Sequence, residues 1–264
     1  MLHQPHPYPY SMPIRIVFNL HINPPPMPRC LGGGTLSSKL QKWRIGKLKL
    51  TPMTRLQYAV DAALGLAAVH DIDGEGLSSV AHGDLKGQQY LFMNGAMKLG
   101  DFNRGRFLRR NSTAPQTACT YTIGKNDGVF RSPEEYNYLP QTSAIDVYAL
   151  GSILYEILTG KPVWDEKDSK DSRKFIMKGR LPKIDKKILE SDDLVDVALR
   201  EAISMCYVFD PKDRAKAADI ASYLEEKQSE LQKITNVTSR TSIKRQKTDE
   251  KEMMGRPKNE IQLE

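Results

Sequence analysis

Residues 82–103, HGDLKGQQYLFMNGAMKLGDFN, contain the reading that decides the fold. Tyr90, Leu91 and Phe92 lie on one side of the pair Asn94-Gly95, and Met97, Lys98 and Leu99 on the other. Alternating apolar residues around Asn-Gly favour two strands joined by a type I′ turn, because both turn positions need a positive φ. Such a hairpin folds the chain back on itself and brings Asp84 and Asp101 to the same end. One carboxylate is then placed to meet a substrate hydroxyl, and the other to hold a hard cation. On these residues alone, a chance Asp-Leu-Lys in a turn stays open, so the rest of the chain has to decide.

Upstream, Met53–His70 carries Met53, Leu56, Val60, Leu64, Ala67 and Ala68 at helical spacing. That spacing predicts one buried stripe, with Thr51-Pro52 opening the helix. Asp71–Ser79 reads as a connector. Downstream, Ser143–Gly160 is the strongest helix, with Val147, Leu150, Leu154, Ile157 and Leu158 in a stripe and Ile145, Ala149 and Ile153 on other faces. A helix this apolar all round is buried, and Gly160 and Pro162 end it. Asp146, near its start, needs a partner, because an unpaired buried carboxylate is expensive. Leu194–Cys206 is helical by period, with Leu194, Val197, Ala198, Ile203 and Met205 available to a core. Ala217–Leu231 is expected to be the last helix.

In this order the stretches resemble the eukaryotic protein kinase family. HGDLKGQQ (82–89) is similar to its catalytic loop H-R-D-L-K-x-x-N, and DFN (101–103) to its metal loop D-F-G. RSPE (131–134) is similar to A-P-E, DVYALG (146–151) to D-V-x-x-L-G, and DPKDR (210–214) to D-P-x-x-R. Lys161-Pro162-Val163-Trp164 resembles the family's G-x-x-P-[FW] turn. The resemblance covers about residues 31–228 and implies an α+β, mostly α-helical fold: a kinase-like C-terminal lobe with a small β-hairpin at the catalytic loop.

It also implies roles. Asp84 accepts the hydroxyl proton and Lys86 neutralises charge on the transferring phosphoryl group. Asp101, with Gln89, holds Mg²⁺, while Lys86, Gln89, Leu91 and Asp101 face ATP. His82, Glu134, Asp146 and Arg214 are structural: Asp146 anchors the catalytic-loop backbone, and Arg214 pairs with Glu134. Lys86, two residues after Asp84, is the serine/threonine-type pattern, so the implied partners are ATP and a protein substrate, with no nucleic acid.

Three residues depart from the family. Gly83 stands where most members have Arg, Gln89 where they have the second metal-binding Asn, and Asn103 where they have the last Gly. Without an arginine at 83, an activation switch driven by phosphate is not expected. Gln89 offers a carbonyl oxygen one methylene further out, which weakens a second Mg²⁺ site that demands near-ideal octahedral geometry. Asn103 tolerates left-handed backbone better than other non-Gly residues, so the metal loop can still close. The alternative is a catalytically weak or inactive pseudokinase-like scaffold.

Gly32-Gly33-Gly34 followed by Thr35-Leu36-Ser37-Ser38 resembles the hinge leaving a kinase's smaller lobe, and equally suits a flexible linker with a capped helix. Before it, residues 1–30 are Pro-rich and irregular apart from a short strand expected over Ile14–Leu20. No G-x-G-x-x-G loop, V-A-I-K-type lysine or helical Glu precedes the hinge. The sequence therefore reads as a kinase large lobe without its small lobe, either part of a longer kinase or a genuine half-domain, and nearly inactive by itself.

The charge of +7 is uneven, with seven Lys/Arg against Asp101 and Asp127 from Lys98 to Arg131. Between Gln232 and Glu264 there are eight Lys/Arg and five acids, which reads as a basic, disordered tail over about 229–264. Lys244-Arg245-Gln246-Lys247 in it is a candidate nuclear-localisation patch. Cys30, Cys119 and Cys206 form no C-x-x-C pair, so neither a zinc site nor a disulfide framework is indicated. No apolar run approaches the roughly 18 residues of a membrane span. The chain as given reads as intracellular and cytoplasmic by default.

Overall fold

The computed structural model describes residues 33–254, except Glu75, residues 111–117 and Lys125. The whole Pro-rich segment over 1–30, with the strand expected over Ile14–Leu20 and with Cys30, and the end of the tail from residue 255 lie outside the described residues. Two compact units divide the chain, Met1–Leu224 and Glu225–Glu264, and each is treated by itself.

Thr35 begins the first helix, α1 (Leu36–Arg44): its hydroxyl accepts from the Ser38 amide and the Ser38 hydroxyl answers, a reciprocal cap. Just before it, the chain runs against the hairpin. Phe92 N donates to Gly34 O at 2.9 Å, and a Cβ on Gly33 would lie 1.8 Å from Phe92 O. Only glycine permits that approach.

The hairpin is β2 (Tyr90–Met93) paired antiparallel with β3 (Ala96–Leu99), Tyr90 opposite Leu99 and Met93 opposite Ala96. Asn94 (φ 51°) and Gly95 (φ 78°) make the turn in the left-handed region, as a type I′ turn requires. A second pair escaped the sequence reading. β1 (Val80–Ala81) pairs antiparallel with β4 (Arg106–Phe107), two-residue strands too short to show periodicity.

Helix α2 (Pro52–His70) is capped by Thr51, but its inner face differs from the expected stripe. Ala59, Ala62, Ala63 and Leu66 are buried, whereas Leu64, Ala67 and Ala68 are only half-buried. Small residues win that face because the hairpin comes close: Tyr90 Oη donates to Ala62 O at 2.9 Å, and a Cβ on Gly65 would be 3.5 Å from the Tyr90 ring.

The two strand pairs are followed by the short α3 (Pro133–Tyr136) and by α4 (Ala144–Thr159), whose residues Ile145–Leu158 are all buried. Gly160 ends α4 at φ 69°. Helices α5 (Ser169–Met177) and α6 (Lys186–Leu189) lead to α7 (Leu194–Cys206), which packs on α4 and α2.

Helix α7 bears a second correction. Leu194 is 53% exposed, and the core stripe is Val195, Ala198, Leu199, Ala202, Ile203 and Cys206. Leu194 directly follows the capping Asp193, and the face towards α4 starts one residue later. Arg55 ties three helices together, 2.8 Å from Asp196 Oδ1 and 3.3 Å from Leu158 O.

The last helix, α8 (Ala217–Met254), runs beyond the expected end near Leu231. No Gly or Pro interrupts residues 217–254, and Gly255 and Pro257 follow. A Lys-, Glu- and Gln-containing sequence lacks breakers even where it has no apolar stripe. Among the described residues, no helix is long and apolar enough to cross a membrane.

Candidate active site

The site is built on α4. Asp146 sits in its first turn, 1% exposed, and faces the loop after β1. Its Oδ2 accepts from His82 N at 2.7 Å and lies 3.1 Å from His70 Nε2, while Oδ1 accepts from Gly83 N at 2.8 Å. A buried carboxylate is tolerated here because two backbone amides and the His70 ring meet its two oxygens.

His82 passes that order on to the metal loop. Its Nε2 is 3.0 Å from Gly100 O, and its Nδ1 accepts from Asp84 N at 3.3 Å. The carbonyl only accepts and the amide only donates, so this pair of contacts assigns the proton to Nε2. The ring also lies against Phe102, centroids 5.0 Å apart.

Asp84 is consequently held at the mouth of the site. Lys86 Nζ donates to its Oδ2 at 2.8 Å, and Arg131 Nη2 donates to Oδ1. Burial pushes this carboxyl upward, but Lys86 and Arg131 together outweigh it, and the group rests below its ordinary value.

Gln89 closes a single turn of 3₁₀ helix (Gly87–Gln89) that feeds β2. Its backbone carbonyl accepts from Gly100 N at 2.9 Å, next to Asp101. Leu91, half-buried, follows it in β2 and bridges to Thr35.

Asp101 itself is exposed at φ 62°, and its carboxylate has no hydrogen bond or ion pair among the described residues. No group of three or more His, Cys, Asp or Glu among the described residues could cage a metal. A Mg²⁺ shared with phosphates needs only one or two carboxylates, so Asp101 fits it. Gln89 fits less well: it is buried, and its side-chain nitrogen has no hydrogen-bond partner among the described residues.

Two departures acquire a local cause. The left-handed residue of the metal loop is Asp101, and Asn103 is not left-handed. The chain turns instead through residues 102–105, with Gly105 N donating to Phe102 O at 2.9 Å, so no glycine is needed at 103. Gly83 has φ 74°, and a Cβ there would meet Arg104 O at 2.9 Å. Installing the family's arginine by Gly83→Arg is therefore expected to cost about 1–3 kcal/mol of stability. Urea denaturation measures it, and an unchanged or raised midpoint would contradict the account.

At the base, Arg214 reaches Glu134 through both terminal nitrogens, at 2.7 and 3.1 Å, with their side chains 0% and 2% exposed. Around Asp84 the structure adds residues that the sequence reading did not single out. Arg131, Glu135, Arg104 and Asn126 lie 20 to 51 positions from Asp84. Their contacts are long-range, and only the position of Arg131 beside Ser132-Pro133-Glu134 was a signal. Burial pushes Glu135 up to about 7, against the pull of Arg131 and Ser132.

The family model for the protein kinase domain matches residues 30–224. The chain belongs to the protein kinase family. This kinase domain is 28% identical over 200 residues to "Serine/threonine-protein kinase VIK" of Arabidopsis thaliana, covering 74% of the chain and 42% of that protein. It is 27% identical over 172 residues to "RGS domain-containing serine/threonine-protein kinase A" of Dictyostelium discoideum, covering 65% and 13%. To "Dual specificity protein kinase pyk3" of the same organism it is 29% identical over 205 residues, covering 76% and 13%. The chain thus spans less than half the length of each of these relatives.

Proposed function

We propose that residues 31–228 are the catalytic lobe of a serine/threonine protein kinase, transferring the γ-phosphoryl group of ATP to a protein hydroxyl. The observation that supports this best is the contrast between two carboxylates. Asp84 is held by Lys86 and Arg131 on a loop that Asp146 clamps, whereas Asp101 is exposed and has no partner among the described residues. A structural acid needs its partners; a free carboxylate in left-handed backbone suits a ligand.

In this reading Asp84 orients the substrate hydroxyl and takes its proton. Lys86, 36% exposed at its side chain, is free to turn from Asp84 to the phosphoryl oxygens. Asp101, and less favourably Gln89, hold Mg²⁺, which when bound supplies charge neutralisation to the phosphates. Leu91 lies under the nucleotide base. Two names among the relatives carry serine/threonine activity and one carries dual specificity, which agrees with an oxygen acceptor on protein.

A scaffold without catalysis is favoured by one observation, a buried glutamine, Gln89, where the family has its second metal-binding Asn. Calorimetry of ATP with and without Mg²⁺, on this chain and on Asp101→Ala, separates the readings. We expect Mg²⁺-dependent binding that the variant loses; the chain by itself is expected to be nearly inactive, and in a longer chain that also carries a small lobe Asp84→Asn is expected to lower transfer by about a hundredfold or more. Binding indifferent to Mg²⁺ and to Asp101 would leave the scaffold.

A further inference from the structure

The deepest side chain on Asp84 does not come from the catalytic loop. Arg131 belongs to the segment just before α3, 8% exposed, and its guanidinium divides among three targets. Nε donates to Asp127 O at 3.3 Å, Nη1 to Gly83 O at 3.0 Å, and Nη2 to Asp84 Oδ1. Nη1 also lies 3.5 Å from Glu135 Oε1. Glu135 is itself fixed, its Oε2 accepting from Ser132 N at 2.8 Å and its Oε1 from Asn126 Nδ2 at 3.4 Å. Asn126 Oδ1 in turn accepts from Arg104, whose Nη1 stands 3.9 Å from Asp84 Oδ1. The contacts close a ring: Asp84, Arg131, Glu135, Asn126, Arg104 and back.

We infer that Arg131 is the positioning residue for the Asp84 carboxylate, supplying a buried cation to it from the distal end of the segment. The inference rests on the kinase reading for its chemistry, though not for its geometry. Three cations approach this carboxylate, Lys86, Arg104 and Arg131, and of these Arg131 is the buried one. Lys86 does not suffice. Its ammonium is a single point on a partly exposed stem, and its proposed work takes it away from Asp84 towards phosphate. Arg131 is buried, and its planar fork reaches the Gly83 carbonyl and the Asp84 carboxylate in one geometry. It therefore sets the orientation of the carboxylate relative to its own loop and stays when Lys86 leaves. Two of its donors end on backbone carbonyls, as a tie between loops would, but the third ends on the Asp84 carboxylate.

The test is a carboxyl-carbon NMR titration of Asp84 in the full chain, comparing the native protein with Arg131→Met and Arg131→Lys. Asp84→Asn identifies the signal, and thermal unfolding checks that each variant is folded. Removing an opposite charge at this distance should raise the Asp84 midpoint by about one pH unit or more in Arg131→Met, with Arg131→Lys between. Glu135 can absorb the loss by holding a proton, since burial already pushes it to about 7. Should the Met variant fail to fold, the Lys variant carries the comparison. A folded variant with an unchanged Asp84 midpoint overturns the inference and leaves Arg131 a structural tie.

Phosphoryl transfer supplies the second readout. In a longer chain that also carries a small lobe, we expect kcat to fall in Arg131→Met with KM for the protein substrate much less affected. A rise in kcat would overturn the inference, because it would make Arg131 a mask over Asp84. The NMR readout needs no catalysis, so a failure of the kinase reading itself shows only in the Mg²⁺ and Asp84→Asn experiments.

Discussion

Arg214→Met is expected to lower the unfolding free energy by about 3–5 kcal/mol, roughly 10 °C in Tm for a domain of this size. Methionine keeps much of the volume, so the loss is electrostatic. Glu134, 2% exposed at its side chain, would be left without its cation. Arg214 also donates to three backbone carbonyls, Val208 O at 2.9 Å, Ala144 O at 2.6 Å and Phe209 O at 3.2 Å, and its guanidinium lies 5.1 Å from the centre of the Tyr148 ring. Those carbonyls join the start of α4 to the loop before α8. The double variant Arg214→Met/Glu134→Met should recover part of the loss, because no buried charge is then unpaired, but not all, because the carbonyls stay unmatched. Denaturant unfolding of the two single variants and the double measures this. Simple additivity would refute the pairing argument.

The second large effect falls on Asp146. Asp146→Ala removes the acceptor of His82 N, Gly83 N and the His70 ring at once. Each buried donor left unsatisfied costs about 1–3 kcal/mol, so a loss of more than about 3 kcal/mol is expected. Part of it should appear as local opening of the loop rather than global unfolding. Hydrogen exchange at the His82 and Gly83 amides is the measurement. Both should exchange faster in the variant by a larger factor than the core amides of α4, such as Ile153 and Leu154. Equal acceleration throughout would mean that Asp146 supports the fold as a whole and not the loop.

The two cases differ in how far they were legible in advance. The Glu134–Arg214 pair and the place of Asp146 under the catalytic loop follow from motifs whose residues stand in fixed order along the chain. The hairpin was legible from Asn94-Gly95 and its apolar flanks, since turn chemistry is local. The faces of α2 and α7 were not. Periodicity gives a helix and a stripe, but the stripe's exact bearing depends on what packs against it. Ala59, Ala62 and Ala63 outrank Leu64 only because Tyr90 and α4 need to come close. The extension of α8 was missed for the opposite reason: a polar sequence without breakers shows no stripe, yet nothing in it stops a helix.

Local backbone chemistry and motif order were enough to determine the family, the helical lobe, the I′ hairpin and the identity of Asp84, Lys86, Asp101 and Asp146 as the residues to watch. The surroundings of those residues were decided by tertiary structure alone. Whether Gly83 is a lost arginine or a required glycine is a matter of its φ and of Arg104 O, both set by how β1 meets β4. That Arg131 reaches Asp84 across 47 positions depends on α4 holding the loop and α3 holding the segment at the same end of the lobe. Charges separated in sequence act on one another through space, and only the fold sets that distance.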